Sequence, residues 1–226
     1  MNRVKPVFVL LTIGIAVAGC GPAAHVAESP ATTATASPSP TPTVTVPTES
    51  QLKSGLLTAA EIGAPYKAET ASGTSNARIG GCEALANLMN DTSTNPGEVT
   101  ATADFTAGES GPFVTQALTA EPVSSFERSL KTVTDALASC AHLTVSEDGT
   151  SLSFELTPIH FAEGATAKRI DGTYQGIPLN GYLAVERISR NVAMVFFYFQ
   201  IGSGSSQDAY RVYTLAADKA MRVFPS

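Results

Sequence analysis

Two histidines, His142 and His160, are the side chains of the C-terminal region best suited to acid–base chemistry. Joined by a serine and by Asp148 or Asp171, either could complete a Ser-His-Asp triad. The sequence has no Gly-x-Ser-x-Gly segment, the strained turn that exposes a serine nucleophile in many hydrolases. Each histidine lies near the end of a strand pattern, where a surface or hydrogen-bonded role is commoner. We therefore expect no catalytic residue and no enzyme, and a hydrolase is the least favoured function.

The sequence gives equally weak support for an anion-binding site and for a metal-binding site. Residues 202–206, Gly-Ser-Gly-Ser-Ser, precede a predicted helix and could present backbone N–H groups to an anion. They lack the lysine of a P-loop, and a flexible connector explains them equally well. Asp148-Gly149 lacks the acidic residues that continue a Ca²⁺ loop. We expect no metal and no cofactor.

The N-terminal twenty residues carry the clearest chemical signal. Arg3 and Lys5 precede an uncharged apolar run over 6–18, which is short for a membrane span and typical of a signal peptide. The run ends in Val17-Ala18-Gly19-Cys20, which resembles a bacterial lipobox whose cysteine thiol takes diacylglycerol. Residues 1–19 are thus predicted to be a lipoprotein signal peptide. Acyl chains such as palmitate on Cys20 would anchor the protein to the extracytoplasmic face of the cell membrane.

The two remaining cysteines, Cys82 and Cys140, form an even pair in an exported protein. Exported cysteines meet an oxidising environment, which favours a disulfide. Zinc binding is the poorer alternative, because the pair has neither CxxC spacing nor a nearby set of histidines. We predict one disulfide, worth about 4 kcal/mol in the chain-entropy account of loop closure.

Composition divides the rest of the chain into a linker and one domain. Residues 20–50 are rich in Pro, Thr, Ser and Ala, which favours an extended disordered spacer or a glycosylated stalk. Residues 51–226 have the length of a single domain, and 43% of the chain is hydrophobic. The net charge of −6 becomes −8 once Arg3 and Lys5 leave with the signal. Without a basic stripe, nucleic acid is not an expected partner.

Hydrophobic periodicity places helices and strands along this domain. The predicted helices cover 56–63, 82–90, 124–138 and 206–221, with Ser124 or Ser125 capping the third and Ser206 the last. The predicted strands cover 98–105, 113–121, 143–145, 152–156, 165–174, 182–188 and 192–201. Gly172, Gly176, Pro178 and Gly181 are expected to interrupt the strand pattern between 165–174 and 182–188, before Tyr182. Because hairpin-like connections dominate, we predict an α+β fold with a mostly antiparallel central sheet flanked by helices.

The strand predicted over 192–201, Val-Ala-Met-Val-Phe-Phe-Tyr-Phe-Gln-Ile, is apolar on both faces. Such a strand is typical of the centre of a sheet that is covered on both sides. Phe196 and Tyr198 point to one side, and Phe197 and Phe199 to the other. One face must pack against helices, and the remaining apolar face is a natural ligand cleft. We take Phe197 and Phe199 as candidate ligand-binding residues.

The order of these elements resembles the PknH-like extracellular sensor domain of actinobacterial receptor kinases and free-standing lipoproteins. The resemblance lies in Leu56-Leu57-Thr58-Ala59-Ala60-Glu61, the helix after Cys82 and the helix over 126–140 that ends in cysteine. The strand after Arg190-Asn191 and the helix over 210–221 complete it. The resemblance implies a sheet flanked by helices, with a cleft for an unidentified extracellular ligand. Members often carry two disulfides, whereas this chain can form only one.

These observations favour a membrane-anchored extracytoplasmic lipoprotein with a non-catalytic, sensor-like domain that binds a ligand. The expected partners are the membrane, through the lipid, and a small molecule, lipid or other envelope ligand. The alternative is a carrier of lipid or other hydrophobic cargo, which would need a large apolar cavity under the aromatic strand.

Overall fold

The computed structural model describes residues 45–69, 77–90, 95–147, 149–202 and 204–225. The predicted signal peptide, Cys20, most of the predicted linker, Asp148 and Ser203 lie outside these ranges. Within them, one nine-stranded antiparallel sheet carries helices on both faces, which confirms the predicted α+β fold. The helices are α1 Glu49–Gly55, α2 Ala59–Ile62, α3 Glu83–Asn90, α4 Val123–Ser139 and α5 Ser206–Val223. The strands are β1 Lys67–Glu69, β2 Arg78–Gly80, β3 Val99–Thr106, β4 Phe113–Ala120, β5 His142–Glu147, β6 Thr150–Ile159, β7 Thr166–Tyr174, β8 Ile177–Arg187 and β9 Val192–Ile201.

The sheet has the spatial order β1-β3-β4-β9-β8-β7-β6-β5-β2, so the two shortest strands form its edges. Glu69 and Arg78 lie at opposite edges although they are only nine positions apart in the chain. That length of chain reaches at most about 32 Å. A flat sheet of nine strands spaced ~4.8 Å apart would separate its edges by about 38 Å. The sheet is therefore curved.

The two faces of the sheet bury two separate hydrophobic clusters. Helices α1, α2 and α5 pack on one face, and α3 and α4 pack on the other. Strand β9 supplies both clusters: Met194, Phe196 and Tyr198 are buried on the α5 side, whereas Phe197 and Phe199 are half-buried on the α4 side. This confirms the prediction that β9 is a central strand covered on both sides.

The N-terminal end of the fold differs from expectation. Helix α1 begins at Glu49, inside the segment assigned to the linker. Thr48 accepts a hydrogen bond from the Gln51 backbone N–H, and the Gln51 side chain accepts from the Thr48 N–H. Leu52 is completely buried, so this segment orders because it has one core residue and a capping box. A second capping box, Thr58 with Glu61, begins α2.

Two predicted helix caps are wrong by one to three residues. Helix α4 begins after Pro122, and the Ser125 hydroxyl donates to the Pro122 carbonyl at 3.0 Å instead of capping. Helix α5 is capped by Ser205, whose hydroxyl accepts from the Asp208 N–H at 3.4 Å, and Ser206 is its first residue. Of the helices in the described ranges, none is both long enough and apolar enough to cross a bilayer.

The predicted break before Tyr182 is also wrong, because β8 begins at Ile177. A tight turn at Gln175-Gly176, with φ of 50° and 81°, joins β7 to β8. Pro178 is the second residue of β8, near the strand start where a missing N–H is tolerated. Gly181 sits where a Cβ would come within 3.2 Å of the Phe199 ring, so the glycine makes room for that ring.

Candidate ligand site

A groove of about 340 Å³ opens between the first turns of α5 and the strands β6, β7 and β8. This volume is at the lower end of the ~300–1,000 Å³ found for small-molecule sites. The residues that surround the groove are Ile159, His160, Phe161, Arg169, Tyr182, Ser206, Gln207 and Tyr210. We call it the α5 groove.

Packed aromatic rings form the base of the α5 groove. The ring of Phe161 lies 5.7 Å from that of Tyr182, 6.1 Å from Tyr210 and 4.7 Å from Tyr213, measured between centroids. Phe161, Tyr182 and Tyr213 are buried, whereas Tyr210 is 50% exposed. The buried rings hold Tyr210 in a defined position with half of its surface open to solvent.

The hydroxyl of Tyr182 is the least expected feature of the groove. Tyr182 is only 5% exposed, yet its hydroxyl makes no hydrogen bond with any residue that the structure describes. The atom is not sealed from solvent, so it opens into the groove that the residue lines. Because solvent reaches the hydroxyl, it can exchange water for a donor or acceptor on a molecule that enters the groove. The Tyr182 hydroxyl is therefore available to a bound molecule.

Arg169 lies directly across the strand pair from Tyr182 and borders the same groove. Its Nε and Nη2 atoms both donate to Oδ1 of Asp171, at 2.9 and 2.8 Å. These hydrogen bonds raise the pKa of the Arg169 guanidinium above its ordinary value. The pair is neutral as a whole, so Arg169 presents a polar planar surface rather than an uncompensated positive charge.

Asp208 fixes the end of α5 that borders the groove. Its Oδ2 atom accepts hydrogen bonds from the hydroxyls of Tyr66 at 2.6 Å and Tyr198 at 3.2 Å, and Arg211 donates to its Oδ1 atom. Arg211 also donates to the Ile62 carbonyl at 2.9 Å, which joins α5 to α2. Burial acts to raise the pKa of Asp208, but these hydrogen bonds outweigh it and lower the pKa.

The residues considered for a Ser-His-Asp triad lie apart in the structure. His142 begins β5 opposite Glu155, whereas His160 follows the other end of β6, roughly 16 Å along the strand. Asp171 is engaged by Arg169, and Asp148 lies outside the described residues. Within the described ranges, no three His, Cys, Asp or Glu side chains cluster as metal ligands.

The loop before α5 is a poor anion site once the helix is seen. The N-cap hydroxyl of Ser205 already accepts from the backbone N–H of Asp208. The carboxylate of Asp208 lies in the first turn of the helix, so a negative charge already occupies the favourable end of the helix dipole. An anion bound at this end of the helix would be repelled by the carboxylate of Asp208.

The predicted disulfide is present between Cys82 and Cys140, whose Cα atoms are 5.7 Å apart. Cys82 immediately precedes α3, and Cys140 immediately follows α4. The bond closes a segment with a sequence separation of 58 residues and ties these two helices together over one face of the sheet.

Comparison with known proteins bears on the fold. No family model matches the sequence, and no curated protein does. The solved extracellular domain of PknH from Mycobacterium tuberculosis superposes with a TM-score of 0.61 at 15% identity, covering 79% of this chain and 98% of that domain. The chain has the fold of the PknH extracellular domain. An uncharacterized Mycobacterium smegmatis protein, an Rv0999 ortholog, gives a TM-score of 0.39 at 10% identity over 76% of this chain and 95% of its own.

The likeness to PknH confirms the resemblance drawn from the sequence at the level of the fold. On this PknH fold, the candidate residues Phe197 and Phe199 lie on the face opposite α5. Their rings stack at 6.0 Å with an angle of 10°, and Phe199 also meets Phe154 edge-on at 6.4 Å. Phe199 covers Gly181, as noted above. Both rings thus have packing partners, and their role in a ligand cleft stays a prediction.

Most residues of the α5 groove in this PknH fold have no signal in the sequence. Arg169, Tyr182 and Gln207 belong to no motif, and Tyr210 lies within the last predicted helix without a distinguishing motif. The buried stripe of this helix is formed by small residues with Val212 and Tyr213: Ala209, Val212, Tyr213, Ala216, Ala217 and Ala220. Plotting α5 on a helical wheel places Tyr210 beside this stripe rather than in it, and that signal could have identified it.

Proposed function

We propose that this protein is an exported lipoprotein whose single domain binds a small ligand in the α5 groove and catalyses no reaction. The lipobox-like Val17-Ala18-Gly19-Cys20 supports the anchor, and the Cys82–Cys140 disulfide suits an oxidising compartment outside the cytoplasm. The fold of an extracellular domain is consistent with that location.

The observation that carries the ligand-binding proposal is the Tyr182 hydroxyl. It is held by buried rings, lacks a partner among the described residues and lines a groove of suitable size. Ser206, Gln207 and Tyr210 add exposed polar groups around it. A preformed groove with a few convergent polar groups is what small-molecule sites share.

Ligand binding can be tested by thermal unfolding, since a molecule that binds only the folded state raises Tm. We expect the full-length chain in a fresh detergent extract of its own envelope to unfold at a higher temperature than after exhaustive dialysis. Returning the concentrated dialysate should restore the higher Tm. Equal Tm values in all three samples would contradict the proposal.

The anchor can be tested separately with Cys20→Ser. We expect the wild-type chain to take up radiolabelled palmitate and to sediment with membranes, whereas the variant loses the label and its processing. A variant that is labelled and anchored like the wild type would remove this part of the proposal and leave ligand binding untouched.

A further inference from the structure

The α5 groove has the charge balance of a site for a neutral ligand. Arg169 is matched by Asp171, and Arg211, one turn along α5, is matched by Asp208. Each of these carboxylates accepts at least two hydrogen bonds from its arginine or from tyrosines. An anionic ligand would therefore find no uncompensated arginine here, and a cationic ligand would find no uncompensated carboxylate.

The groove also combines polar groups with aromatic surface in a way that suits a ring with hydroxyls at its edge. Gln207 can donate and accept hydrogen bonds, as can the hydroxyls of Ser206 and Tyr182. Tyr210 presents a half-exposed ring, held in place by Phe161, against which C–H groups can pack. A pyranose or furanose has this composition, with hydroxyls around its edge and C–H groups on its faces.

The groove volume suits a small unit. About 340 Å³ accommodates one sugar ring with some of its hydration, and a neighbouring hollow of about 570 Å³ shares Gln207 and Tyr210 with it. Because the groove is open to solvent along α5, further units of a chain could extend away from it without entering.

We propose that the α5 groove binds a neutral saccharide, with one ring packed against Tyr210 and its hydroxyls bonded to Tyr182 and Gln207. This inference rests on the proposed ligand-binding function and adds the chemical class of the ligand. Arg169, held by Asp171, contributes a planar polar wall rather than a charge.

The test uses the detergent-solubilised full-length chain on immobilised neutral oligosaccharides of hexoses, pentoses and N-acetylhexosamines. The same sugars in uronic-acid and phosphorylated forms are presented beside them. We expect binding to neutral members and weaker binding to their charged forms. We further expect Tyr182→Phe and Tyr210→Ala each to weaken binding about tenfold, the size of one well-placed contact.

Met221→Ala is the matched control, because Met221 is a partly exposed residue on the same helix and does not line the groove. It should bind within about twofold of the wild type. The inference is overturned by absence of binding to every neutral sugar, by preference for the charged forms, or by wild-type binding in both groove variants.

Failure of the inference can be told from failure of the proposed function. If no saccharide binds but dialysis still lowers Tm and the dialysate restores it, the domain binds a ligand of another class. If neither experiment gives a signal, both proposals fall together.

Discussion

The hydroxyl of Tyr213 on α5 donates a 2.5 Å hydrogen bond to the carboxylate of Glu186 on β8, between the helix and the sheet. Both side chains are almost fully buried, at 1% and 3% exposed. Burial raises the pKa of Glu186 above its ordinary value of 4.5, only partly offset by the hydrogen bond from Tyr213. The same Tyr213 ring packs against Phe161 beneath the α5 groove.

Replacing Glu186 by glutamine should make the protein more stable at neutral pH. A carboxyl whose pKa is raised in the folded state stabilises fully below its unfolded pKa and loses that contribution as pH rises through the folded pKa. From about pH 4.5 upward, we expect the free energy of unfolding of the variant to rise relative to that of the wild type, by at most about 1.4 kcal/mol per pH unit. Urea unfolding from pH 4 to pH 8 measures this, and parallel pH curves would contradict it.

Tyr213→Phe should have the opposite effect at neutral pH. It keeps the ring packing on Phe161 and removes the donor to Glu186, leaving a buried carboxylate without this partner. We expect a loss of about 1–3 kcal/mol in the free energy of unfolding. In the Glu186→Gln background the loss should be smaller, because a neutral amide tolerates burial better. Equal losses in both backgrounds would show that the two side chains are not coupled.

Asp208→Asn should destabilise the protein at pH 7 by about 1–2 kcal/mol, allowing for partial exposure. In the wild type, Tyr66, Tyr198 and Arg211 donate to the two carboxylate oxygens of Asp208. The asparagine side chain has only one accepting oxygen for these three donors. Because the pKa of Asp208 is lowered, its contribution is complete above the ordinary value of 3.8 and is lost as pH falls below it. Unfolding at pH 7 and pH 3 should show the deficit shrinking at low pH. A constant deficit would oppose this account.

Reduction of the Cys82–Cys140 disulfide should lower the free energy of unfolding by about 4 kcal/mol, given the long loop that it closes. Calorimetry with and without reductant gives the measurement. The Cys82→Ser/Cys140→Ser double variant serves as control, since its Tm should be low and indifferent to reductant. An unchanged wild-type Tm after verified reduction would refute this prediction.

Phe199→Ala separates packing from ligand binding on the face opposite α5. Its ring covers Gly181 and meets Phe154, so we expect a stability loss of about 2 kcal/mol for this half-buried ring. If the groove is the site, the variant should keep the Tm shift between fresh and dialysed samples. If Phe199→Ala lost this Tm shift while Tyr182→Phe kept it, the ligand site would lie at Phe197 and Phe199 and not in the α5 groove.

The sequence predicted those parts of the fold whose signal is local and repeated. The two-sided apolar run of β9 identified the central strand, and the hydrophobic periodicity over 124–138 identified α4. The two cysteines that remain after Cys20 predicted the disulfide. In each case a periodicity or a count, present in one stretch of chain, determines the structure.

The parts that were missed have short or composite signals. Strands β1 and β2 have three residues each, too few to show alternation, and they form only because the sheet edge offers partners. The start of β8 was hidden by Pro178 and Gly181, whose roles depend on neighbouring strands. The groove joins residues from β6 to α5 that are ordinary one by one, and only the fold brings them together.

Native mass spectrometry of the full-length chain extracted from its own envelope tests most directly whether a ligand is held at Tyr182. The wild type, Tyr182→Phe and Met221→Ala should be compared in parallel. We predict a dissociable added mass on the wild type and on Met221→Ala that is largely lost from Tyr182→Phe, although after exhaustive dialysis the three unfold at similar temperatures. The same bound mass on all three chains, or none on any, would contradict the account.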